Sequence, residues 1–302
     1  MTFEMKICSF STTGNEQPRL GMITDNTILD LTALNQPQFN SFYSLLRNAK
    51  STERSISETI RDSLAGAKAA PKYEAKATKL NIPLVPTEVW GAGITYKRSR
   101  EAREVETALK GLYNYLYDSE RPEIFFKANG TRCVGPGDSI GIRSDSKWTV
   151  PEPELSLVLD SECRVIGYTI GDDVSARDIE GTNPLYLPQA KIFSRCCAVG
   201  PVLVTPEELT NPGSLGITMT IYRDRDIAFQ NSTSTSQLKR SFEELTSYLR
   251  RDNVLQDGTI LMTGTGIVPP DDFSLKDGDL VDIEIEGIGA LRNKVLQLPK
   301  PS

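Results

Sequence analysis

Short apolar runs separated by turn residues dominate the chain after about residue 120. Segments such as ELSLVL and VIGYTIG are bounded by glycine, proline or aspartate, which is typical of strands. The pattern predicts strands at PEIFFKA, DSIGI, ELSLVL, VIGYTIG, CAVGPVLV, ITMTIYRD, TILMTGTG and GDLVDIEIEGIG. Because strands and helices do not alternate regularly, we expect a mostly antiparallel β-roll or barrel with a few helices, and not a doubly wound parallel sheet.

Residues 1 to about 80 have a different pattern, in which short strands precede two helices. The strands are joined by a turn at Asp25–Asn26. The helices are predicted at SFYSLLRNA and at SISETIRDSLAGA, and either Ser55 or Ser57 is a suitable N-cap for the second.

Proline and glycine then interrupt the chain in NIPLVPTEVWGAG, which marks a boundary. We therefore predict a small N-terminal α/β domain at residues 1–85 and a larger domain at residues 86–302, with an α+β fold overall. Within the larger domain, helical spacing predicts one long helix over residues 97–120 and another over residues 237–251. Apolar side chains share one side of the first of these helices, at Leu109, Leu112 and Leu116.

Composition excludes several classes of function. The 302 residues carry a net charge of -6, so nucleic acid and anionic membranes are not expected partners. The first ten residues lack a signal-peptide core, and no apolar run has the length of a membrane span. The five cysteines are scattered without a CxxC pair, which favours reduced thiols in a cytoplasmic protein.

The chain contains no histidine, and this absence restricts its chemistry. Ser-His-Asp and Cys-His mechanisms are excluded, as are zinc sites that need an imidazole. A metal ion must be held by oxygen or by cysteine sulfur. Oxygen ligands select hard cations such as Mg2+, Ca2+ or Mn2+.

Carboxylates are concentrated in two segments. In VPEPELSLVLD, the alternation of a strand places Glu152 and Glu154 on one face and the leucines on the other. Two adjacent carboxylates repel each other, and a cation between them removes that repulsion. The simpler alternative is a solvated strand face. A second segment, GDDVSARD, ends a strand and offers Asp172 or Asp173 as a third ligand, and spacing alone does not choose between them.

These segments together resemble the fumarylacetoacetate hydrolase family. The resemblance covers roughly residues 90–295 and rests on GAGITY, PEPELSLVL, GYTIGDDVSARD, QAKIFSRCCAVGPVLV, LMTGTG and LKDGDLVDIEIEGIGALRN. It implies a mixed β-roll with a metal site formed by Glu152, Glu154 and Asp173, usually holding Mg2+. It also implies that Lys191 is catalytic and contacts substrate, that Thr265 binds a substrate carboxylate, and that the protein is a homodimer or homotetramer.

One departure from the family pattern bears directly on function. The hydrolytic branch has a catalytic histidine soon after its Gly-x-x-Tyr motif, whereas this chain has Ser99 or Arg100 there. The segments TYKRSREAR, RPEIFFKA and CVGPGDSIGIR are more similar to the sugar-acid dehydratase branch. That likeness implies loss of water from a 2-keto-3-deoxy sugar acid, 2-keto-3-deoxy-D-arabinonate, to give 2-oxoglutarate semialdehyde, with Glu123 as an acid/base residue.

Several points remain open at this level. Glu123 and Lys191 are the expected acid and base, and apolar neighbours with a nearby metal would favour the neutral form of Lys191. Arg98 is the expected arginine at the substrate, although Arg100 and Arg103 begin the same helix. The alternative functions are another activity of the family on a 2-keto acid, such as decarboxylation, tautomerisation or C–C hydrolysis, and a non-catalytic metal-organised binding protein.

Overall fold

In the computed structural model, which describes residues 5–66, 70–106 and 110–300, antiparallel strands and two helices form the N-terminal part. The turn predicted at Asp25–Asn26 joins two paired strands. Ser55 caps the second helix, because its hydroxyl accepts from the Glu58 amide and the Glu58 side chain accepts from the Ser55 amide. The elements here are β1 (Lys6–Thr12), β2 (Asn15–Thr24), β3 (Thr27–Asp30), α1 (Phe42–Ser51), α2 (Ile56–Ala65), β4 (Lys72–Glu74) and β5 (Thr78–Asn81).

The larger part of the chain is strand-rich, as predicted. From residue 89 to residue 191 the elements are β6 (Val89–Gly93), α3 (Lys97–Glu106), α4 (Leu112–Asp118), β7 (Glu123–Ala128), β8 (Cys133–Val134), β9 (Ser139–Ile142), β10 (Thr149–Val150), β11 (Pro153–Leu159), β12 (Val165–Asp173), β13 (Ser175–Ala176), α5 (Arg177–Thr182) and α6 (Leu187–Lys191). They are followed by β14 (Cys197–Val204), β15 (Gly216–Arg223), β16 (Asp226–Ser234), α7 (Phe242–Arg250), β17 (Thr259–Met262), β18 (Leu280–Ile285) and β19 (Gly289–Gln297).

One large mixed sheet runs through both parts of the chain. Its strand order is β4-β3-β2-β1-β14-β12-β11-β17-β6-β7, with β5 paired to β1 and β8 paired to β14. The N-terminal strands join it where Lys6 and Ile7 of β1 lie opposite Val204 and Leu203 of β14. The division predicted at residue 85 falls in the connection between β5 and β6 and stays a prediction.

A second sheet, in the order β16-β15-β18-β19-β9, completes the roll. Apolar side chains alternate along β15 and β18 and are buried in the same core as the large sheet, as required for two stacked sheets. The mixture of large sheets and few helices confirms the predicted α+β class. Along β18 and the turn after it, Glu284 and Glu286 are exposed, whereas Asp282 is buried and pairs with Arg292.

Two helix predictions were too long. The segment 97–120 forms two helices, and Gly111 stands at the N-cap of the second with φ of 85°; Leu109 lies outside the described residues. The helix predicted over 237–251 begins only at Phe242, where the Ser241 hydroxyl accepts from the Glu244 amide. Before it, Gln237 ends a short 3-10 helix and the chain then bends, where the Lys239 amide donates to the Thr95 carbonyl. The short helices α5 and α6 were not predicted.

The cysteines are free thiols, as predicted. Burial raises the pKa of Cys8 to about 12 and raises the pKa of Cys196 as well, so both remain protonated at neutral pH. None of the helices within residues 5–66, 70–106 and 110–300 combines the length and apolar character needed to cross a membrane.

Candidate active site and metal centre

Glu152 and Glu154 lie in the middle of the large sheet. Strand β11 pairs with β12 on one side and β17 on the other, and every residue of β11 is buried. The two glutamates are 4% and 2% exposed. The alternative of a solvated strand face is therefore wrong for this segment.

Asp173 joins the two glutamates from the end of β12. Its amide donates to the Glu152 carbonyl at 3.0 Å, which brings the two backbones together. Each of Glu152, Glu154 and Asp173 offers a carboxylate oxygen, and the three oxygens lie within 4.8 Å of one another. Asp172 faces the other side of the strand, where its Oδ1 accepts from the Glu152 amide at 3.0 Å. Of the two aspartates, Asp173 is therefore the one at the cluster.

Lys191 reaches the cluster from the C-terminal end of α6. Its Nζ donates to Glu152 Oε2 at 2.9 Å, to Asp173 Oδ2 at 2.9 Å and to Ser175 Oγ at 2.6 Å. Burial lowers the pKa of this ammonium, but Asp173 and Glu152 outweigh burial, and the pKa lies above its ordinary value. The expectation of a neutral Lys191 is not met in this arrangement, because both of its carboxylate partners favour the charged form.

Two arginines hold the other oxygen of Glu152. Arg103 Nη2 lies 2.6 Å from Glu152 Oε1, and Arg177 Nη2 lies 2.9 Å from the same atom. Glu106 bridges them, since it accepts from Arg103 at 3.0 Å and from Arg177 at 2.7 Å. Burial raises the pKa of Glu152, but Lys191, Arg103 and Arg177 together bring it well below its usual range. Glu152 is thus a fixed anion.

Lys127 contacts the carboxylate cluster through Asp173. Its Nζ lies 2.6 Å from Asp173 Oδ1 and donates to the carbonyls of Val174 at 2.9 Å and Lys191 at 2.6 Å. The side chain is fully buried on β7. Burial lowers the pKa of Lys127, but the charge of Asp173 more than offsets this effect, and the pKa lies above its ordinary value. Lys127 is therefore a second permanent cation beside Asp173.

Glu154 is the carboxylate of the cluster whose surroundings best match a bound metal ion. Among the described residues, no lysine or arginine forms an ion pair with it, and its Oε2 accepts from the Gly264 amide. Burial, followed by Asp173 and Glu152, raises its pKa well above the ordinary value. A buried carboxylate that forms an all-oxygen ligand set with two anionic neighbours matches a hard divalent cation such as Mg2+. The donor set therefore fits the predicted metal.

Glu123, on β7, lines one cavity together with Glu152, Glu154, Asp173 and Lys191. It is directly opposite Gly93 of β6, and a Cβ added to Gly93 would lie 2.1 Å from Glu123 Oε2. Burial, then the nearby Glu180, raises the pKa of Glu123 to about 7. The guanidinium of Arg121, two residues earlier in the chain, lies over the Tyr248 ring at 5.3 Å.

Two predicted site residues remain: Thr265 lines the cavity, and Arg98 lies on the surface. Thr265 is 3% exposed and lines the cavity, and its hydroxyl accepts from the Ile267 amide at 3.2 Å. Arg98 is exposed on α3 and does not line the cavity. The helix turns Ser99 and Arg103 inward instead, because residues four apart share a face. Of the two arginines, Arg103 lines the cavity and Arg98 does not.

Sequence reasoning assigned no role to several charged side chains of the site, namely Glu106, Lys127, Arg177 and Glu180. Arg177 and Glu180 both belong to α5, which was not predicted as a helix. Their spacing of three residues is the signal that places both on one helical face, towards Glu152 and Arg103 respectively. Lys127 had no such signal, because a lysine in a strand pattern normally points to solvent.

Comparisons with known proteins agree with this geometry. A family model for the fumarylacetoacetate hydrolase C-terminal domain matches residues 88–296. A probable 2-keto-3-deoxyxylonate dehydratase of Haloferax volcanii is 44% identical over 279 residues, which is 92% of this chain and 95% of that protein. A 2-dehydro-3-deoxy-D-arabinonate dehydratase of Saccharolobus solfataricus is 52% identical over 223 residues, or 72% of this chain and 75% of that protein.

A solved structure extends the likeness to three dimensions. It is 2-keto-3-deoxy-D-arabinonate dehydratase complexed with magnesium and 2,5-dioxopentanoate, and it is 40% identical, with a TM-score of 0.80. The alignment covers 98% of this chain and 100% of that one. Since the family model spans more than half of the 302 residues and the fold and its carboxylate cluster agree with it, the chain belongs to the fumarylacetoacetate hydrolase family.

Proposed function

We propose that this protein is a metal-dependent dehydratase that removes water from 2-keto-3-deoxy-D-arabinonate to give 2-oxoglutarate semialdehyde. The observation that carries this proposal is the all-oxygen cluster of Glu152, Glu154 and Asp173 beside Glu123, in a chain without histidine. Two similar proteins are named as dehydratases of such acids. In the solved structure, the dehydratase holds magnesium and 2,5-dioxopentanoate, which is the same compound as 2-oxoglutarate semialdehyde.

Mg2+ is the cofactor, and we propose Glu152, Glu154 and Asp173 as the residues that hold it. When bound, the ion supplies Lewis-acid stabilisation for the negative charge that develops on the substrate's keto oxygen. The protein contributes a buried and rigid set of ligands. Arg103 and Arg177 contact Glu152 Oε1 and Lys191 contacts Oε2, so this ligand is held in place from both of its oxygens.

We propose Glu123 as the residue that moves the proton between C3 and the C4 hydroxyl. A carboxyl with a pKa of about 7 exists in both forms near neutrality, which suits a group that first accepts and then donates a proton. The carboxylate removes a proton from C3, and the resulting acid protonates the C4 hydroxyl, which leaves as water. Glu123 ends this step in its starting form.

Lys191 has an electrostatic role in this scheme, not that of the base. Its ammonium is held by two carboxylates and a hydroxyl, so no lone pair is available to accept a proton. We propose that it contacts the substrate as a charge stabiliser. Thr265 lines the same cavity and is proposed to donate its hydroxyl to the substrate carboxylate.

C–C hydrolysis by a histidine-activated water has no support in this chain. Ser99, near the position where the hydrolytic branch carries its histidine, is buried and lines the cavity. A serine hydroxyl is not basic enough at neutral pH to replace an imidazole in water activation.

We further propose a cytoplasmic homodimer or homotetramer. The free cysteines agree with a reducing compartment. Exposed apolar side chains close to the site's helices support self-association, with Val105 at 66% and Leu185 at 83% exposure. Light scattering on the purified protein measures the assembly, and a monomeric mass would contradict it.

The function is tested by incubating the protein with 2-keto-3-deoxy acids and Mg2+. We expect loss of one water from the pentonate and formation of an aldehyde, detected by mass spectrometry and by an aldehyde-specific reagent. Chelation of the metal should abolish the reaction, and added Mg2+ should restore it. Release of pyruvate, or no reaction with any pentonate, would show that the proposed function is wrong.

Replacing Gly93 by alanine should impair catalysis without unfolding the protein. The new Cβ would lie 2.1 Å from Glu123 Oε2, so the flexible carboxylate must move away from its place in the cavity. We expect kcat to fall by about 10²-fold, the order seen when a catalytic group is misplaced by about 1 Å. Gly213 has no atom within 4 Å of an added Cβ, so Gly213→Ala is the matched control and should keep full activity.

A further inference from the structure

A further carboxylate, Glu180, lines the cavity and reaches the cluster's surroundings through Arg103. It lies on α5, is 5% exposed, and lines the same cavity as Glu123 and Lys191. Its Oε2 is buried and accepts no hydrogen bond among the described residues. A buried, unsatisfied carboxylate oxygen is costly, and a group aimed into a cavity is satisfied when a ligand arrives.

Among the described residues, Glu180 has one ion-pair partner, and it shares that partner with two other carboxylates. Its partner is Arg103, whose Nη2 lies 3.3 Å from Glu180 Oε2. Arg103 already makes shorter contacts, at 2.6 Å with Glu152 and at 3.0 Å with Glu106. Glu180 is therefore the most distant of three carboxylates around one guanidinium, and it shares that cation with two closer partners.

The proposed reaction needs more than one proton removal. Loss of a C3 proton and of the C4 hydroxyl leaves a 2-keto acid with a C3–C4 double bond and a hydroxyl still on C5. To become the aldehyde, this intermediate must lose a proton from C5 and gain one at C3, which gives an enol at C4–C5. The enol loses its hydroxyl proton and gains a proton at C4, so no oxidant or reductant is required.

We propose that Glu180 is a second proton-transferring carboxylate, which removes the C5 proton of this unsaturated intermediate. This assignment rests on the proposed dehydratase function. Glu123 serves the C3–C4 step and Glu180 the C5 step, so each of the two proton removals has its own carboxylate outside the proposed metal ligands. The proximity of Glu180 also contributes to the raised pKa of Glu123, although less than burial does.

The variant Glu180→Gln tests whether Glu180 removes the C5 proton, because it keeps the shape of the side chain and removes its basicity. We expect aldehyde formation to fall by about 10²-fold or more, while loss of water stays within about 10-fold of wild type. The product that accumulates should have the same mass as the aldehyde, absorb as a conjugated ketone, and fail to react with an aldehyde reagent. Glu180→Asp should restore part of the aldehyde formation.

Glu106→Gln is the matched comparison, because Glu106 contacts the same arginine but does not line the cavity. Whatever its rate, its product should be the aldehyde alone. If Glu180→Gln forms aldehyde without the unsaturated acid, or if the folded, Mg2+-binding variant loses no water at all, Glu180 does not have this role. Failure of the wild-type protein to dehydrate any pentonate is a separate result, which removes the proposed function and this assignment with it.

A measurement on wild-type protein covers the case in which Glu180→Gln does not fold. Substrate carrying deuterium at both C5 positions should slow aldehyde formation and leave the loss of water unchanged. The unsaturated acid should then accumulate transiently. An equal isotope effect on both steps, or none on aldehyde formation, would contradict a separate proton removal at C5.

Discussion

Glu123→Gln is expected to lower kcat by about 10²–10⁴-fold while the affinity for Mg2+ stays nearly unchanged. Glutamine fits the same space over Gly93 but neither accepts nor donates the proton in question. Glu123 is not one of the three clustered carboxylates, so the metal site should remain intact. Steady-state kinetics with calorimetric titration of Mg2+ separates the two effects, and a parallel loss of metal affinity would argue against a role limited to proton transfer.

The same residue predicts the pH dependence of the wild-type enzyme. If Glu123 acts first as a base, kcat/KM rises as pH increases through the pKa of this group, which is about 7 without metal. A bound divalent cation lowers the pKa of a nearby carboxyl, so the rise should fall at or below about pH 7. The residual kcat/KM of Glu123→Gln should not rise with pH in this range. If its pH profile matches that of the wild type, the rise is caused by the titration of another group.

The second large effect is a contrast between two ligands of the proposed metal site. Glu154→Gln and Glu152→Gln should both abolish Mg2+ binding and activity, because each removes one of three anionic ligands. Their effects on the metal-free protein should be opposite. Glu154 has a pKa raised by burial and by two anionic neighbours, whereas Glu152 is stabilised as an anion by Lys191, Arg103 and Arg177.

The signs follow from proton linkage. A carboxyl with a raised folded-state pKa costs stability as pH rises above its unfolded value of 4.5, so Glu154→Gln should stabilise the metal-free protein at pH 7, on the order of 1 kcal/mol or about 2–4 °C in Tm. A carboxyl with a depressed pKa contributes stability above 4.5, so Glu152→Gln should cost about 3–5 kcal/mol by leaving buried cations unpaired.

Thermal unfolding in EDTA at pH 5 and pH 7 measures the contrast. Near pH 5, little of the raised-pKa penalty of Glu154 is present, so the gain of Glu154→Gln should shrink there. Equal destabilisation by the two substitutions would contradict the different electrostatic surroundings of the two glutamates.

The strands were predictable because local signals and the final packing agree. Alternating apolar positions and turn residues correctly located β11, β12 and β15. The helix over 237–251 was predicted too long, since a tertiary contact between Lys239 and Thr95 overrides its local helical pattern. Helices as short as α6, with five residues, have too few turns to give a periodic signal.

The site was predictable where its residues lie close in sequence or in a recognised motif. Glu152 and Glu154 follow from strand alternation, and the resemblance selected Asp173. Arg98 was preferred to Arg103 because sequence order along a helix does not reveal which face meets the sheet. The charge state of Lys191 also depends on partners from distant segments, and Glu152 is 39 residues away. Such long-range pairing is decided only by the fold.

The ammonium of Lys191 lies between Glu152 and Asp173, and this position affects the stability of the metal-free protein when magnesium is scarce. It neutralises part of the negative charge of Glu152 and Asp173, as do Lys127 and the two arginines, so these two carboxylates are held together without the ion. A starved cell would therefore keep an intact reserve of inactive enzyme. Activity could return on resupply of the ion, without new protein synthesis.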